Sequence, residues 1–423
     1  MSTGGRGGPV PARDDAVGRS PRRGITWPWV GGGAVVVGMV VVAAQIHGLD
    51  LAVYRGGALP LLGRAGDKEL YDDALVQTDT RGLPFTYPPF AALLFVPLAL
   101  LPQPLALTVL TLLSCSCLVG VALLVVRYLR AAGPVGRAPR RFPAVVLVAI
   151  LLIGISGPWR EGLGFGQINA LLMVLVLADL LRTPHRIPSG VLIGVAAGIK
   201  LTPLAFGLIL LARRDWRSLG WMTASFAGTV GVGWLLAPRE SGVFWGGALF
   251  DASRVGETAD LYNVSLNSIV TQSALPDAAQ RPVWALASLA VVVVGYVAIR
   301  RADDADDAVR AVTANAVVML AISPISWFHH WVWIALVLPA GHVWARQQAA
   351  PLRRAGWVVL GALVPVMMFS SITITLTLTG VVSGEGPVPL RLFTALGVIL
   401  PVILLALWAL RPVRTTPALP VPA

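Results

Sequence analysis

Long apolar runs alternate with short groups of arginines along almost the whole chain. A run of about 20 apolar residues is long enough for a helix to cross the hydrocarbon core of a bilayer. Arginine groups follow the runs at 104–126, 283–299 and 392–410, and cytoplasmic loops of membrane proteins carry an excess of arginine and lysine. The pattern therefore predicts an all-α polytopic integral membrane protein whose arginine groups mark the cytoplasmic side.

The alternation of these markers predicts about twelve transmembrane helices with both termini in the cytoplasm. The stretch 190–214 has cytoplasmic markers at both of its ends. It is predicted to form two short helices broken around residues 200–203, because proline ends one helix and begins the next. The other predicted spans are 27–46, 104–126, 142–156, 167–181, 219–236, 283–299, 312–322, 331–343, 357–378 and 392–410.

The apolar segment 87–102 is too short to be a further span. It has sixteen residues, with prolines at 88, 89, 97 and 102. The span before it leads outward and the span after it leads inward, so the segment must begin and end outside. We therefore predict a re-entrant or juxtamembrane helix at the outer face, where prolines suit a broken, partly buried segment.

Composition agrees with this class of protein and argues against a nucleic-acid partner. Only 13% of the residues are charged, against about 25% in soluble domains. The net charge of +12 comes from arginines dispersed between apolar runs, which is the pattern of cytoplasmic loops and not of a nucleic-acid-binding face. Residues 1–24 are predicted to be a disordered cytoplasmic tail, 25–411 the transmembrane domain and 412–423 a C-terminal cytoplasmic tail.

The predicted topology gathers the unusual polar residues on the outer side, beginning with an acidic loop at 47–84. Ionisable groups at membrane depth are energetically expensive and usually functional, so we expect a site at the outer membrane boundary. The inner segment 301–310, RADDADDAVR, is by contrast expected to be a solvated loop. The outer residues include Asp50, Tyr54, Arg55, Asp67, Asp72, Asp73, Asp79, Arg160, Gln167, Lys200, Arg254, Asn263, Asn267, Trp327, His329 and His330.

The motifs of metal and nucleotide sites are missing from the sequence, which has no HExxH, no CxxC pair and no Walker loop. His329 and His330 are adjacent and would point about 100° apart on a helix. Asp72 and Asp73 are better explained as the exposed edge of an acidic loop than as a metal-binding pair. We therefore predict no metal and no cofactor. A carboxylate, several cations and apolar surface together suit a lipid-phosphate substrate.

Five motifs follow one another between residues 50 and 339: DLAVYRGGALPLLG, FTYPPFAALLFVPLALLP, GQINALLMVLVLADLL, GIKLTPLAFGLILLARRDWR and SPISWFHHWVWIALVLP. Together they resemble the polyprenol-phosphate-mannose-dependent α-(1→2) mannosyltransferases, glycosyltransferase family 87, of the actinobacterial cell envelope. The resemblance implies a GT-C fold with its active site at the extracytoplasmic face of the plasma membrane. It also implies inverting, metal-independent transfer of mannose from polyprenyl-phosphate-mannose to a glycolipid or lipoglycan acceptor.

The resemblance further implies a general base in the first outer loop, which in this chain is Asp50. We expect Lys200, His329 or His330 to bind the donor phosphate, with Arg55 and Arg160 as second choices. Family members often read Asn-Gln-Ser-Leu where this chain has NVSLN at 263–267, a difference that concerns the acceptor. The residues expected to line the substrate groove are Tyr54, Tyr87, Pro88, Gln167, Asn169, Trp327, Asn263 and Asn267.

Structural explanations compete with these roles. Asp50 could cap a helix that begins at Leu51, since Asp is a preferred N-cap residue. Lys200 could extend to the interface as an anchor, and the two histidines could pack among the neighbouring tryptophans. At the level of the whole chain, the donor sugar could be arabinofuranose or glucose, and a lipid-linked sugar transporter or flippase is the alternative class of protein.

Overall fold

A computed structural model describes residues 48–78, 82–133, 142–182, 186–369 and 388–410 of the chain. The predicted first span at 27–46 and both predicted tails lie outside these residues. The described part is almost entirely helical, with one two-stranded antiparallel hairpin, β1 (Val76–Gln77) and β2 (Gly82–Leu83), in the first loop. The helices are α1 (Leu49–Ala58), α2 (Pro89–Leu100), α3 (Gln103–Ala131), α4 (Phe142–Ile155), α5 (Gly157–Phe165), α6 (Asn169–Leu181), α7 (Val191–Ile199), α8 (Gly207–Ala212), α9 (Trp216–Leu236), α10 (Pro238–Gly246), α11 (Leu266–Thr271), α12 (Asp277–Asp303), α13 (Ala308–Ile322), α14 (Ile334–Arg346), α15 (Ala350–Met368) and α16 (Val388–Leu410).

Five described helices are long and apolar enough to cross a bilayer, namely α3, α9, α12, α15 and α16. A sixth span is possible if α4 and α5, which meet at a bend of 70°, cross as one unit. Other predicted spans correspond to shorter helices: α6 has 13 residues, α13 has 15 and α14 has 13. The chain is therefore a polytopic helical membrane protein whose apolar runs include several short or bent helices.

The segment 87–102 forms the short helix predicted for it. Helix α2 has 12 residues, or about 18 Å of rise, against about 30 Å of hydrocarbon core. Arg55 of α1 binds its C-terminal end: Nε donates to the Leu98 carbonyl at 3.1 Å and Nη2 to the Leu101 carbonyl at 2.7 Å. A cation at the carbonyl end of a helix is favourable, so Arg55 fastens α2 to α1.

The predicted break near Lys200 is also present. Helix α7 ends at Ile199, Lys200 has extended backbone, and a 3-10 helix begins at Thr202 with Pro203 in its first turn. Buried Asn315 of α13 bonds the backbone after the break, because its Oδ1 accepts from the Ile209 amide and its Nδ2 donates to the Ala205 carbonyl. Irregular backbone at membrane depth requires such protein partners.

The prediction that 301–310 is merely a solvated loop was wrong. Asp303 makes an ion pair with Arg213, whose Nη2 lies 2.8 Å from the carboxylate. Asp307 caps α13 and also accepts a hydrogen bond from Tyr128 of α3. Arg310 is only 1% exposed. Asp303 and Asp307 therefore connect α12 and α13 with α3 and with the end of α8, and these charged residues stabilise helix packing.

The stretch between the predicted spans 219–236 and 283–299, which the predicted topology places outside, is folded. The region 237–281 contains α10 and α11 together with the 3-10 turns Ala248–Phe250 and Ala252–Arg254. Arg254 from this region forms an ion pair with Asp73 of the first loop, and its Nη2 donates to the Tyr71 carbonyl at 2.7 Å. The two loop regions are thus joined to each other.

Helices α7 and α9 approach closely along a line of glycines. Gly190, Gly194 and Gly198 recur at every fourth position, and backbone and side-chain atoms of α9 fill the space beside them. A Cβ on Gly194 would lie 1.9 Å from Ser225 Oγ and 2.3 Å from the Met222 carbonyl oxygen. Small residues at this spacing allow membrane helices to approach closely, so α7, which leads to Lys200, is fixed against α9.

We predict that Gly194→Ala destabilises the protein by about 1–3 kcal/mol, because the added methyl group enters occupied space. Gly228→Ala in α9 is the matched control, since a Cβ there would meet no atom within 4 Å. The control should be neutral or stabilising, because alanine favours helix over glycine by up to ~1 kcal/mol. Thermal unfolding of both variants in detergent provides the measurement, and equal melting temperatures would contradict the packing argument.

Candidate active site

Residues from five separate parts of the chain meet beside the first turn of α1. Asp50 and Tyr54 come from α1, Tyr87 precedes α2, Gln167 and Asn169 lie at the turn from α5 to α6, and Lys200 lies at the break after α7. His329 and His330 belong to a 3-10 helix, Phe328–Trp333, that leads into α14. The sequence analysis placed all of these residues on the outer side of the membrane. It did not predict which of them would be in contact.

Asp50 does not cap a helix, in contrast to the structural alternative. Helix α1 begins at Leu49, its N-cap position is Gly48 in a left-handed conformation (φ 56°, ψ 54°), and no side chain caps it. The half-buried Asp50 carboxyl instead interacts with the Gln167 amide and with the charge of Lys200. Burial raises the pKa of Asp50 to about 6, and the Gln167 hydrogen bond and the Lys200 charge only partly offset this effect.

Tyr54 and Gln167 form a buried hydrogen-bonded group next to this carboxyl. The Tyr54 hydroxyl donates to Gln167 Oε1 at 2.9 Å and lies 3.3 Å from the Tyr87 hydroxyl. The Tyr54 ring stacks on Phe95 of α2, with 4.4 Å between centroids. Tyr54 is fully buried and Gln167 is 3% exposed, so the amide orientation is fixed by its neighbours.

The direct contacts of the Lys200 ammonium group are with uncharged side chains. Its Nζ donates to Asn169 Oδ1 at 3.1 Å, lies 3.1 Å from His330 Nε2, and faces the Tyr87 ring at 5.5 Å from the centroid. Asn169 is itself oriented by a bond from its Nδ2 to the His329 carbonyl. The four ion pairs of the described residues include neither Lys200 nor Asp50, so the positive charge is not neutralised by direct contact.

His329 differs from His330 in its surroundings. Its side chain is buried, and neither ring nitrogen has a hydrogen-bond partner among the described residues. The ring packs edge-on against Phe165, with centroids 5.2 Å apart, and against His330 at 4.9 Å. A buried imidazole without a partner is costly, and the His329 ring contacts that of His330, which lines the cavity described next.

Lys200 and His330 line an open cavity that contains about 430 Å³ of space, part of it open to solvent. Its polar end also contains Asn169 and Ser326, and Ser326 is fully buried with no partner for its hydroxyl among the described residues. Ser326 was missed by the sequence analysis, although it lies inside the SPISWFHH motif. The remaining walls are mainly apolar and are formed by Leu172, Met173, Val176, Pro203, Phe206, Met319, Leu320 and Trp333. The cavity therefore combines a cationic end with an apolar body.

Both arginines offered as second choices for the phosphate bind backbone carbonyls instead. Arg55 holds the end of α2, as described above. Arg160 donates to the Ile155 carbonyl at 3.3 Å and to the Met368 carbonyl at 3.5 Å. Pro88 is the N-cap residue of α2 and lines a separate groove of about 180 Å³ with Phe90 and Trp245.

The residues Asn263, Asn267 and Trp327 also lie in a structural arrangement. Asn263 Nδ2 donates to the Thr258 and Pro324 carbonyls, and Asn267 Nδ2 donates to the Pro324 carbonyl. Asn263 pairs with Trp327 in an isolated antiparallel bridge, and the Trp327 ring covers Gly256. These contacts connect the loop before α11 with the turn that carries the histidines. The three residues therefore help to fix the position of that turn.

The other acidic residues of the first loop lie away from Asp50. Asp67 is exposed, Asp72 accepts from the Glu69 amide at 2.8 Å, and Asp73 pairs with Arg254. Asp79 lies outside the described residues. Among the residues that the structure describes, no group of three or more His, Cys, Asp or Glu side chains is placed to hold a metal ion.

Comparison with known proteins agrees with this geometry. Residues 85–324 match Glycosyltransferase family 87. The chain is 35% identical, over 71% of its length and 72% of the relative's, to a polyprenol-phosphate-mannose-dependent alpha-(1-2)-phosphatidylinositol mannoside mannosyltransferase of Mycobacterium tuberculosis. It is also 35% identical to a polyprenol-phosphate-mannose-dependent alpha-(1-2)-phosphatidylinositol pentamannoside mannosyltransferase of Mycolicibacterium smegmatis, over 68% of this chain and 67% of that one. No solved structure matches the chain.

The family match covers more than half of the chain and includes Tyr87, Gln167, Asn169 and Lys200. It excludes Asp50 and the histidines, which the structure brings to the same place from either side of the matched region. The polytopic helices, the clustered polar site and the similarity to relatives over two thirds of their length lead to one conclusion: the chain belongs to glycosyltransferase family 87.

Proposed function

We propose that the protein transfers mannose from polyprenyl-phosphate-mannose to a phosphatidylinositol mannoside or a related glycolipid at the extracytoplasmic face of the plasma membrane. The observation that carries this proposal is that the Asp50 carboxyl interacts with Lys200, whose hydrogen-bond partners are uncharged and which lines an amphipathic cavity. The relatives named above supply the donor and acceptor classes.

Asp50 is the proposed general base. It removes the proton of the acceptor hydroxyl while that oxygen attacks the anomeric carbon, so the configuration at this carbon inverts. Effective general bases have a pKa close to the working pH, and burial moves the pKa of Asp50 upward in that direction. A base of this kind typically contributes about 10²–10⁴-fold to the rate.

Lys200 and His330 are proposed to bind the phosphate that leaves with the lipid. Both border the cavity, and the neutral partners of Lys200 leave its charge available for an anion. Cations held in a site that excludes water stabilise a developing negative charge by several kcal/mol. Neither ring nitrogen of the adjacent His329 has a partner in the described part of the chain, and the mainly apolar walls suit the first isoprene units of the donor.

The proposal includes a GT-C fold with about twelve spans, cytoplasmic termini and α2 lying at the outer face beside the lipid path. Cysteine labelling tests this topology, because native Cys115 and Cys117 are buried and the unmodified chain controls for background. We predict that Asp67→Cys and Asp260→Cys react with an impermeant reagent from outside, whereas Arg137→Cys and Arg301→Cys do not. Labelling of Arg137→Cys from outside would contradict the re-entrant assignment of 87–102.

For Lys200 we predict that alanine weakens use of the donor far more than arginine does. Lys200→Arg keeps a positive charge near the phosphate, while Lys200→Ala removes it and should raise the donor KM by about tenfold or more, since hydrogen bonds to charged groups contribute about 1.5–3 kcal/mol. Donor titrations of the purified variants provide the measurement. If both variants were equally active at low donor concentration, Lys200 would be only an interfacial anchor.

For Asp50 we predict that Asp50→Asn lowers sugar transfer by about 10²-fold or more, while the variant folds and binds the donor. The substitution preserves size and removes basicity. Asp50→Glu should retain at most partial activity, because a base must lie within about 3 Å of the oxygen that it deprotonates. The assay measures transfer of radiolabelled mannose from the polyprenyl phosphate donor to a phosphatidylinositol mannoside acceptor by the purified protein.

The exposed residue Asp67 and the ion-paired residue Asp73 are the controls, each changed to asparagine in the same preparation. Both control variants should transfer mannose at close to the wild-type rate. An active Asp50→Asn together with an inactive control would show that a different carboxylate is the base. Transfer of another sugar in place of mannose by the wild-type protein would overturn the donor assignment.

A further inference from the structure

Gln167 connects Asp50 to a pair of tyrosines that the reaction itself does not require. Its side chain is 3% exposed and lies at the left-handed turn between α5 and α6. We propose that Gln167 is a positioning residue, which holds the Asp50 carboxylate in its ionised form and aims it at the acceptor hydroxyl, with Tyr54 and Tyr87 fixing the Gln167 amide. This inference rests on the proposed role of Asp50 as general base.

The hydrogen bonds determine which end of the amide meets the carboxyl. Gln167 Oε1 accepts from the Tyr54 hydroxyl at 2.9 Å, so the Nε2 group, which can only donate, serves the Asp50 carboxyl and the Tyr87 hydroxyl. The Tyr54 oxygen in turn is left to accept, from the Ile168 amide at 3.4 Å and from the Tyr87 hydroxyl at 3.3 Å. The donors therefore follow one direction, from Tyr87 through Tyr54 and Gln167 to Asp50.

The backbone around Gln167 is built for a close approach to α1. Gly166 has φ +67°, a conformation that glycine adopts without strain. A Cβ on Gly166 would lie 3.0 Å from the Cβ of Leu51 and 3.3 Å from Leu107 Cδ1. The Gln167 amide nitrogen then donates to the Gly162 carbonyl at 2.8 Å, which closes the end of α5. The turn can contact the residue beside Asp50 because position 166 has no side chain.

The charged and titratable groups around Asp50 come from every element packed against it. Lys200 lies at the end of α7, with His330 behind it, and Tyr54 and Tyr87 lie on the other side. Burial favours the protonated carboxyl, while the Gln167 hydrogen bond and the Lys200 charge favour the carboxylate. Lys200 is assigned to the leaving phosphate. Gln167 is uncharged, so it can keep Asp50 ionised by a hydrogen bond without attracting the phosphate of the lipid substrate.

The test uses Gln167→Met, which preserves the approximate volume and removes both hydrogen bonds, and Gln167→Glu, which places a second carboxyl beside Asp50. We expect kcat to fall by about tenfold or more, the scale of a lost hydrogen bond to a charged group, while the donor KM changes little. The acid limb of the pH profile of kcat should move upward by about 1 pH unit in Gln167→Met and further in Gln167→Glu, because a like charge disfavours ionisation.

Gln280→Met is the matched control, because Gln280 Nε2 also donates to an aspartate, Asp277 Oδ1 at 3.0 Å, but on an exposed part of the chain. This variant should keep the wild-type rate and acid limb. Tyr54→Phe provides a second route if a Gln167 variant does not accumulate in the membrane. It removes the hydroxyl that orients the Gln167 amide, together with its bonds to Tyr87 and the Ile168 amide, but leaves Gln167 in place, so it should move the acid limb in the same direction by less.

An unchanged acid limb in Gln167→Met and Tyr54→Phe, whatever the loss of rate, would overturn the positioning role, because a purely packing role would not alter the ionisation of the base. Asp50→Asn measured in the same assay separates this result from failure of the proposed function. If Asp50→Asn is inactive and the Gln167 variants show no shift, only this inference falls. If Asp50→Asn is active, the assignment of the base falls, and the role of Gln167 falls with it.

Discussion

An ammonium group held in largely apolar surroundings, without a carboxylate in direct contact, is the constraint on which the site depends. A charge moved out of water is costly unless polar groups replace the lost hydration. The protein meets this cost at Lys200 with an amide oxygen, an imidazole nitrogen and the face of an aromatic ring. All three partners are uncharged, so the stabilisation leaves the positive charge in place for an anionic substrate group.

The break in the helix follows from the same requirement. In a continuous helix through residues 190–214, the Lys200 side chain would project from a regular helix surface. The extended backbone at Lys200 instead ends α7 at this residue, and the Lys200 side chain bonds Asn169 of α6. The break exposes backbone groups that lipid cannot satisfy, and Asn315 supplies the missing donor and acceptor. A polar residue deep in α13 therefore supports the cation from another part of the sequence.

The sequence was informative wherever a polar residue interrupted an apolar run. Gln167, Asn169 and Lys200 stand out for this reason, and the short helix at 87–102 and the break near Lys200 could be predicted from length and proline positions. The partners of each side chain could not be predicted, because they depend on tertiary contacts. Arg55 was a plausible phosphate ligand in the sequence, but the end of α2 offers it two backbone carbonyls.

Several contacts that define the fold join residues more than 150 positions apart. Tyr128 meets Asp307, the Trp159 indole donates to the Val332 carbonyl, and Arg254 reaches back to Asp73. During synthesis, the early helices must therefore enter the bilayer before their partners have left the ribosome. The site comes into existence only when already inserted helices associate, the second stage of membrane-protein folding. A nascent chain that carries Asp50 but has not yet added the histidine-bearing turn lacks part of the candidate site, which is therefore assembled only late in synthesis.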